Sequence, residues 1–512
     1  MVKKKKIRLG QKKLEVGQKK RHDFIQGHTK KISISIVALA WVILTIIAYF
    51  NGYTKNLDDR IRGYDPVGYF VYLPSLFFDN DVDFSNNFQA IYGENQTIRK
   101  KTSTGYTDNP WSIGPAILWS PFYTIAHLSS KISNWLFNTK YETNGYKGLY
   151  SISVMVGNAI YVLVGCSFLY LFLSTFFTNT LSILSTITIL FSSQITYYTW
   201  GLVPMSHNVS FASVCMYLFF YRKYETKAIT ALFAAIMILT RWQNALFLIP
   251  QIIINFMILV KHLGDRDFKH FSIFLMGNFI YSLIVILCFI PQSYVWYKLY
   301  GSFITLPQTA YYSNDTFKLG QYIRFFWTLF HPNHGLFLWN PMLFISCFGF
   351  IAALKNKKYR NIAISLIIMF VAQWVVNSLW QSWHGDWGFG QRKFCNTLPV
   401  FAFGHCMLFS YFKKSKIIFY ALVSTSMILI LFNLLFVYQI YHGLAPRNKP
   451  LYFHELTYDK FRLKKIKISQ TYANRALYVL QKKGDIDSFN KLAENSLLYV
   501  LTPRISDLKF QD

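Results

Sequence analysis

Asp65 stands in the stretch RGYDPVGYFVYLP, residues 62 to 74, about a dozen residues after the first apolar run ends. A carboxylate at the edge of a membrane can take a proton from an attacking hydroxyl and so act as a general base. Tyr69, four residues on, belongs to the same stretch and is a candidate ligand contact. The plainer reading of Asp65 is a cap or turn residue before Pro66. Asp58 and Asp59 compete for the catalytic role. Two arginines could face a developing anion. Arg241 lies in ILTRWQNALFLIP, residues 238 to 250. A cation deep in a membrane helix costs ~2.5–3.5 kcal/mol on insertion scales, so Arg241 needs a carboxylate, an anionic substrate or a lipid phosphate. Arg392 lies in WQSWHGDWGFGQRKF, residues 380 to 394, and offers a forked donor to phosphate. Tryptophan, His384, Asp386 and glycine crowd the same loop. Indoles stack on sugar faces and also populate membrane interfaces.

Weaker candidates complete the set. His207, in VPMSHNVSF, enters the outer end of an apolar span and would serve either as an interhelical hydrogen-bonding residue or as a ligand contact. Asp108 precedes an apolar helix, in YTDNPWSIGPAILWSPF, that Pro115 and Pro121 are expected to break. The turn DNDVDF holds Asp79, Asp81 and Asp83, oxygen ligands for a divalent metal or simply a solvated acidic turn. His331 and His334, in HPNH, are a bare pair that would need further ligands to hold a metal. No P-loop, helix-opening GxGxxG or HExxH is present.

The elements that must carry these groups are apolar. The 512-residue chain is 53% hydrophobic, 19% aromatic and 15% charged, with mean hydropathy +0.25. Runs of membrane-spanning length recur, so the fold class is an all-α polytopic membrane protein. About eleven spans are expected, the first at 33–50 and the others near 148–172, 179–198, 203–221, 227–241, 246–260, 270–291, 336–354, 361–379, 396–412 and 416–438. The loops 222–227, 261–270, 355–360 and 413–416 are short and mostly basic, and they fall inside if the N-terminus is inside. That path holds only if 113–130 does not span, so this stretch is expected to be an interfacial or re-entrant helix within a large first outer loop, 51–147. The domains are then a basic cytoplasmic tail, 1–32, a transmembrane domain, 33–438, and a polar tail, 439–512, on the outer side.

The net charge is +30. Much of it sits in the first 31 residues, which hold twelve Lys and Arg against Glu15 and Asp23. Such a tail obeys the positive-inside rule and touches anionic membrane lipids, so no nucleic-acid partner is expected. The first apolar run lacks a cleavage site and is expected to be an uncleaved signal anchor. The six cysteines show no CxxC pair and read as small core residues. No line of charges crosses successive spans, as an ion-coupled transporter would show.

In order along the chain, these motifs resemble the GT-C membrane glycosyltransferases, in the branch of the protein O-mannosyltransferases and aminoarabinose transferases, which has many bacterial relatives. DPVGYFVYLPSLFFDND is similar to that branch's acidic first loop, with Asp65 in the catalytic place and Pro66 where a second acid usually stands. NPWSIGPAILWSPFYTIAHL looks like its proline-containing interfacial helix. ILTRWQNALFLIP is similar to its cationic span, with Arg241 in the cationic place, and the W…G…G-x-R run resembles a late-loop pattern of bacterial relatives. The similarity covers roughly residues 33–440. The resemblance implies a GT-C architecture in the bacterial inner membrane. It also implies an inverting transfer from a polyprenyl-phosphate-linked sugar donor to a glycan, lipid or protein acceptor outside, with Asp65 as base and Arg241 and Arg392 steadying the leaving phosphate. No cofactor is implied with certainty; a divalent metal stays a candidate. Two other functions fit the same surface: a carrier or flippase for lipid-linked saccharides, and a glycan ligase or polymerase.

Overall fold

The computed structural model describes residues 61–456 apart from 62, 94–99, 202–203, 306–322, 386–387, 442–443, 446–449 and 452, together with 35, 39, 41–43, 45 and 46. Most of the expected first span, the N-terminal tail, most of the 439–512 tail, Asp58, Asp59 and Asp386 lie outside the described residues.

The described residues form helices and no strand, with one isolated bridge between Lys101 and Thr107. The elements used below are α1 (Tyr64–Phe70), α2 (Gly114–Phe137), α3 (Leu149–Ser174), α4 (Asn179–Phe191), α5 (Ser206–Tyr224), α6 (Ala228–Thr240), α7 (Ile249–Gly264), α8 (Phe268–Tyr300), α9 (Pro341–Lys355), α10 (Lys357–Leu379), α11 (Leu398–Phe412) and α12 (Lys416–Tyr441). Among the described residues, five helical stretches are long and apolar enough to cross a membrane: α3, α7 with its 3₁₀ lead-in from Trp242, α8, α10 and α12. Three shorter apolar helices, α4, α6 and α9, accompany them.

Several expected spans are cut short at particular residues. The 179–198 span stops at Phe191 and resumes as a separate turn, Ile195–Trp200. The 336–354 span is split at Asn340, because Pro341 lacks an N–H to continue a helix yet is suited to start one. The expectation that prolines break the 113–130 helix is overturned: α2 runs unbroken for 24 residues. Pro115 sits in its first turn, where no N–H is needed. Pro121 leaves the carbonyl of Ile117 without its usual donor, and the Ser120 hydroxyl donates to that oxygen at 2.8 Å.

Two apolar cores result. The larger joins α3–α6 and α9–α12. The second packs the first loop onto α2, the start of α3 and the end of α8, with Val67, Phe70, Val71 and Tyr72 fully buried. Each such side chain contributes roughly 1.5–3 kcal/mol on burial, so the short α1 is held by packing and not by its own helix propensity.

Candidate active site

Asp65 lies in the first turn of α1, where a carboxylate complements the helix dipole and where Pro66 costs no hydrogen bond. The orientation of α1 is set by Trp111. A Cβ on Gly68 would lie 2.5 Å from the indole, so only glycine lets the ring lie against the helix backbone. Tyr64 and Tyr69 pack edge-on to the same indole, with centroids at 5.0 and 6.2 Å. The Asn109 amide donates to Gly68 O at 3.1 Å and Tyr72 OH to Trp111 O at 2.8 Å.

The same loop fixes the segment that carries Arg241. Ser112 Oγ donates to Thr240 O at 2.9 Å, and Ile113 N–H donates to Gln292 Oε1 at 2.8 Å. Gly114 approaches so closely that a Cβ would fall 2.1 Å from Leu239 O. Arg241 then takes an extended conformation between α6 and the 3₁₀ turn Trp242–Leu248. Its side chain donates to His207 Nδ1, at the start of α5, and to Gln243 Oε1 at 3.2 Å. Of the partners expected for this cation, a carboxylate is not its contact; two neutral side chains are.

The third wall is the loop after α10 and the 3₁₀ turn Arg392–Thr397. Tyr198 OH accepts from Phe389 N–H at 2.7 Å, and Gln391 Nε2 donates to Trp383 O at 2.8 Å. Lys393 Nζ donates to Ser382 O at 2.5 Å and sits 5.4 Å from the Trp380 ring centroid. A buried amide ladder ties this wall to the Arg241 turn. Asn396 donates to Asn244 Oδ1 at 2.7 Å and to Gln373 Oε1 at 3.3 Å; Gln373 donates to Asn377 Oδ1 at 3.0 Å and to Lys393 O at 3.3 Å.

Together the three walls line one partly open cleft. Asp65, Tyr69, His207, Arg241 and Arg392 all line it, so five of the residues singled out in the sequence meet there. Asp65 Oδ2 and Arg392 Nη1 are 2.8 Å apart, an ion pair between the first and last walls. Trp111, Gln243 and Trp380 also line the cleft, as do Trp242, Asn377 and Lys393, which were not singled out. The signal for Trp111 was Gly68, a helical glycine one turn after the acid; Lys393 was legible as the second of two adjacent cations. The lining has three cations against one carboxylate, which suits an anionic ligand. Burial pushes the Tyr69 phenol up, against the opposing pull of Arg241, so Tyr69 faces the cleft as a neutral hydroxyl.

Asp108 does not line the cleft. Its Oδ1 accepts from Tyr300 OH at 2.5 Å and ties the loop to the end of α8. Nor does His384, whose carbonyl accepts from His334 Nδ1 at 2.8 Å. Asp386 lies outside the described residues. The acidic turn spends its oxygens on itself: Asp79 accepts from Asn86 and Asn87, Asp81 from Ser75 and the Asp83 N–H, and Asp83 from Ser85. Among the described residues no group of three or more His, Cys, Asp or Glu side chains is placed to hold a metal ion. Comparison with known protein families, curated proteins and solved structures finds nothing that matches this chain.

Proposed function

We propose that this protein is an inverting glycosyltransferase of GT-C type, using a polyprenyl-phosphate-linked sugar in the bacterial inner membrane. The observation that carries the reading is the Asp65–Arg392 ion pair at the edge of a cleft lined also by Arg241 and Lys393. A base and a phosphate-binding fork are thus neighbours, which is what displacement at a sugar carbon bonded to phosphate requires.

Without ligand, the two groups neutralise each other. A phosphodiester entering the cleft draws Arg392 away and frees Asp65. An acceptor hydroxyl then attacks the anomeric carbon as Asp65 takes its proton. The new carbon–oxygen bond forms, the bond from that carbon to the phosphate oxygen breaks, and the electron pair leaves with the phosphate. Arg392 and Lys393 offset the charge that grows there. Indole and phenol rings around the cleft suit the apolar face of a sugar or a prenyl chain. With Ser206–Tyr224, Leu398–Phe412 and the 33–50 run counted beside the eight apolar helical stretches, the chain follows an eleven-span path with Asp65 and Arg392 outside.

The test is transfer in proteoliposomes, with mass spectrometry of the glycans or glycolipids lost on deletion used to identify the substrates. Asp65→Asn should abolish transfer while the protein inserts and folds normally. Full activity in that variant would overturn Asp65 as the base.

A further inference from the structure

Arg241 touches two neutral side chains, and chemistry fixes the direction of both contacts. A guanidinium only donates, so His207 Nδ1 and Gln243 Oε1 are the acceptors. An imidazole that accepts at Nδ1 is neutral and carries its proton on Nε2. A carboxamide that accepts at Oε1 turns its NH₂ elsewhere. His207 Nε2 and Gln243 Nε2 are both buried, and neither has a hydrogen-bond partner among the described residues. His207 as a whole is 3% exposed. Both residues line the same cleft as Asp65 and Arg392. Buried donors are nearly always met by an acceptor, and at these two atoms the described residues supply none.

We propose that His207 and Gln243 form a donor pair that reads the uncharged oxygens of the sugar, and that Arg241 is the positioning residue that aims both. This rests on the glycosyl-transfer reading and divides the labour of the cleft. Arg392 and Lys393 take the phosphate. The donor pair takes hydroxyl, ring or acyl oxygens on the transferred sugar. Arg241 is thereby withdrawn from the leaving phosphate, since its guanidinium is committed to orienting its neighbours.

Binding of two probes to the full chain in nanodiscs tests this. One is a short-chain polyprenyl phosphate; the other is the same lipid bearing each of a panel of hexoses and N-acetylhexosamines. His207→Asn is the informative variant, because its amide oxygen can still accept from Arg241 while the Nε2–H donor is gone. The wild-type chain should prefer at least one sugar-bearing lipid over the bare phosphate. His207→Asn should weaken that lipid about tenfold, the worth of one good hydrogen bond, and leave the bare phosphate within about twofold. Arg241→Lys should reproduce the same selective loss, and Arg392→Ala should weaken both probes. Equal weakening of both probes by His207→Asn overturns the donor pair and leaves glycosyl transfer standing, as does a wild-type chain that binds both probes without preference. A wild-type chain that binds neither probe overturns the glycosyl-transfer reading itself. If His207→Asn unfolds early in a thermal melt, Gln243→Met removes the second donor along with its acceptor for Arg241, and the same selective loss of the sugar-bearing lipid is expected.

Discussion

Asp65 Oδ2 lies 2.8 Å from Arg392 Nη1, so a carboxylate from the first described helix and a guanidinium from the last third of the chain share one hydrogen bond. Their side chains are 26% and 15% exposed. In a partly buried pair the cost of desolvation offsets much of the Coulomb gain. Removing either partner should therefore change chemistry far more than stability. Asp65→Asn and Arg392→Ala should each shift the melting temperature by no more than a few degrees. Their loss of transfer should reach about a hundredfold or more, the scale on which a general base or an oxyanion-stabilising donor contributes. A thermal melt beside a transfer assay separates the two effects.

The seat of Trp111 on Gly68 makes a second prediction. Gly68→Ala places a methyl 2.5 Å from the indole and must tilt α1 or move the ring. Overpacking of this kind costs about 1–3 kcal/mol, and the displacement should carry Asp65 off its position. Trp111→Ala alone should also destabilise, by loss of the ring. The double variant should be less damaged than the sum of the two, because the clash no longer exists. Additive losses in a double-mutant cycle would show that the ring does not seat α1.

Because Asp65 and Arg392 share a cleft, the loops that carry them must face the same compartment. Single cysteines at Gln89 and Gln381, both exposed, should both react with an impermeant thiol reagent in intact cells, in a background without the six native cysteines. Labelling of only one would contradict a shared site.

Tyr69 supplies a prediction in pH. Its phenol is raised above its ordinary value of 10.0, chiefly by burial. Above that pH the unfolded chain releases the proton while the folded chain holds it, so the stability from this group, complete at neutral pH, falls as pH rises beyond the ordinary phenol value. Denaturation measured across the alkaline range should show a shallower loss for Tyr69→Phe than for the wild type. The transfer rate of Tyr69→Phe should keep the wild-type pH profile near neutrality, because a phenol held neutral there titrates in neither protein.

How much of this was legible in the sequence depends on the kind of signal. Asp65, Arg241 and Arg392 stood out because charge is scarce in an apolar chain, and the cleft brings them together. Asp108 and His384 stood out for the same reason, yet the first braces Tyr300 and the second lends its carbonyl to His334. Residue type announces a polar group but not its partner, and that partner is a matter of long-range packing. Span limits were blurred because hydropathy averages over the features that end a helix, such as Asn340 before Pro341. The unbroken α2 was missed because one hydroxyl, that of Ser120, answers the carbonyl that Pro121 leaves open. The role of Trp111 was hidden in a glycine more than forty residues away from it.

The cleft is closed by residues from nearly opposite ends of the described chain. During synthesis the segment carrying Asp65 emerges early, and the partner that neutralises it is made only after most of the helices have been inserted. A shortened product ending before Arg392 would hold its carboxylate without a counter-ion and without the wall that carries Arg392 and Lys393. The cleft is therefore completed only near the end of the chain's own insertion, and incomplete chains in the membrane lack one of its walls.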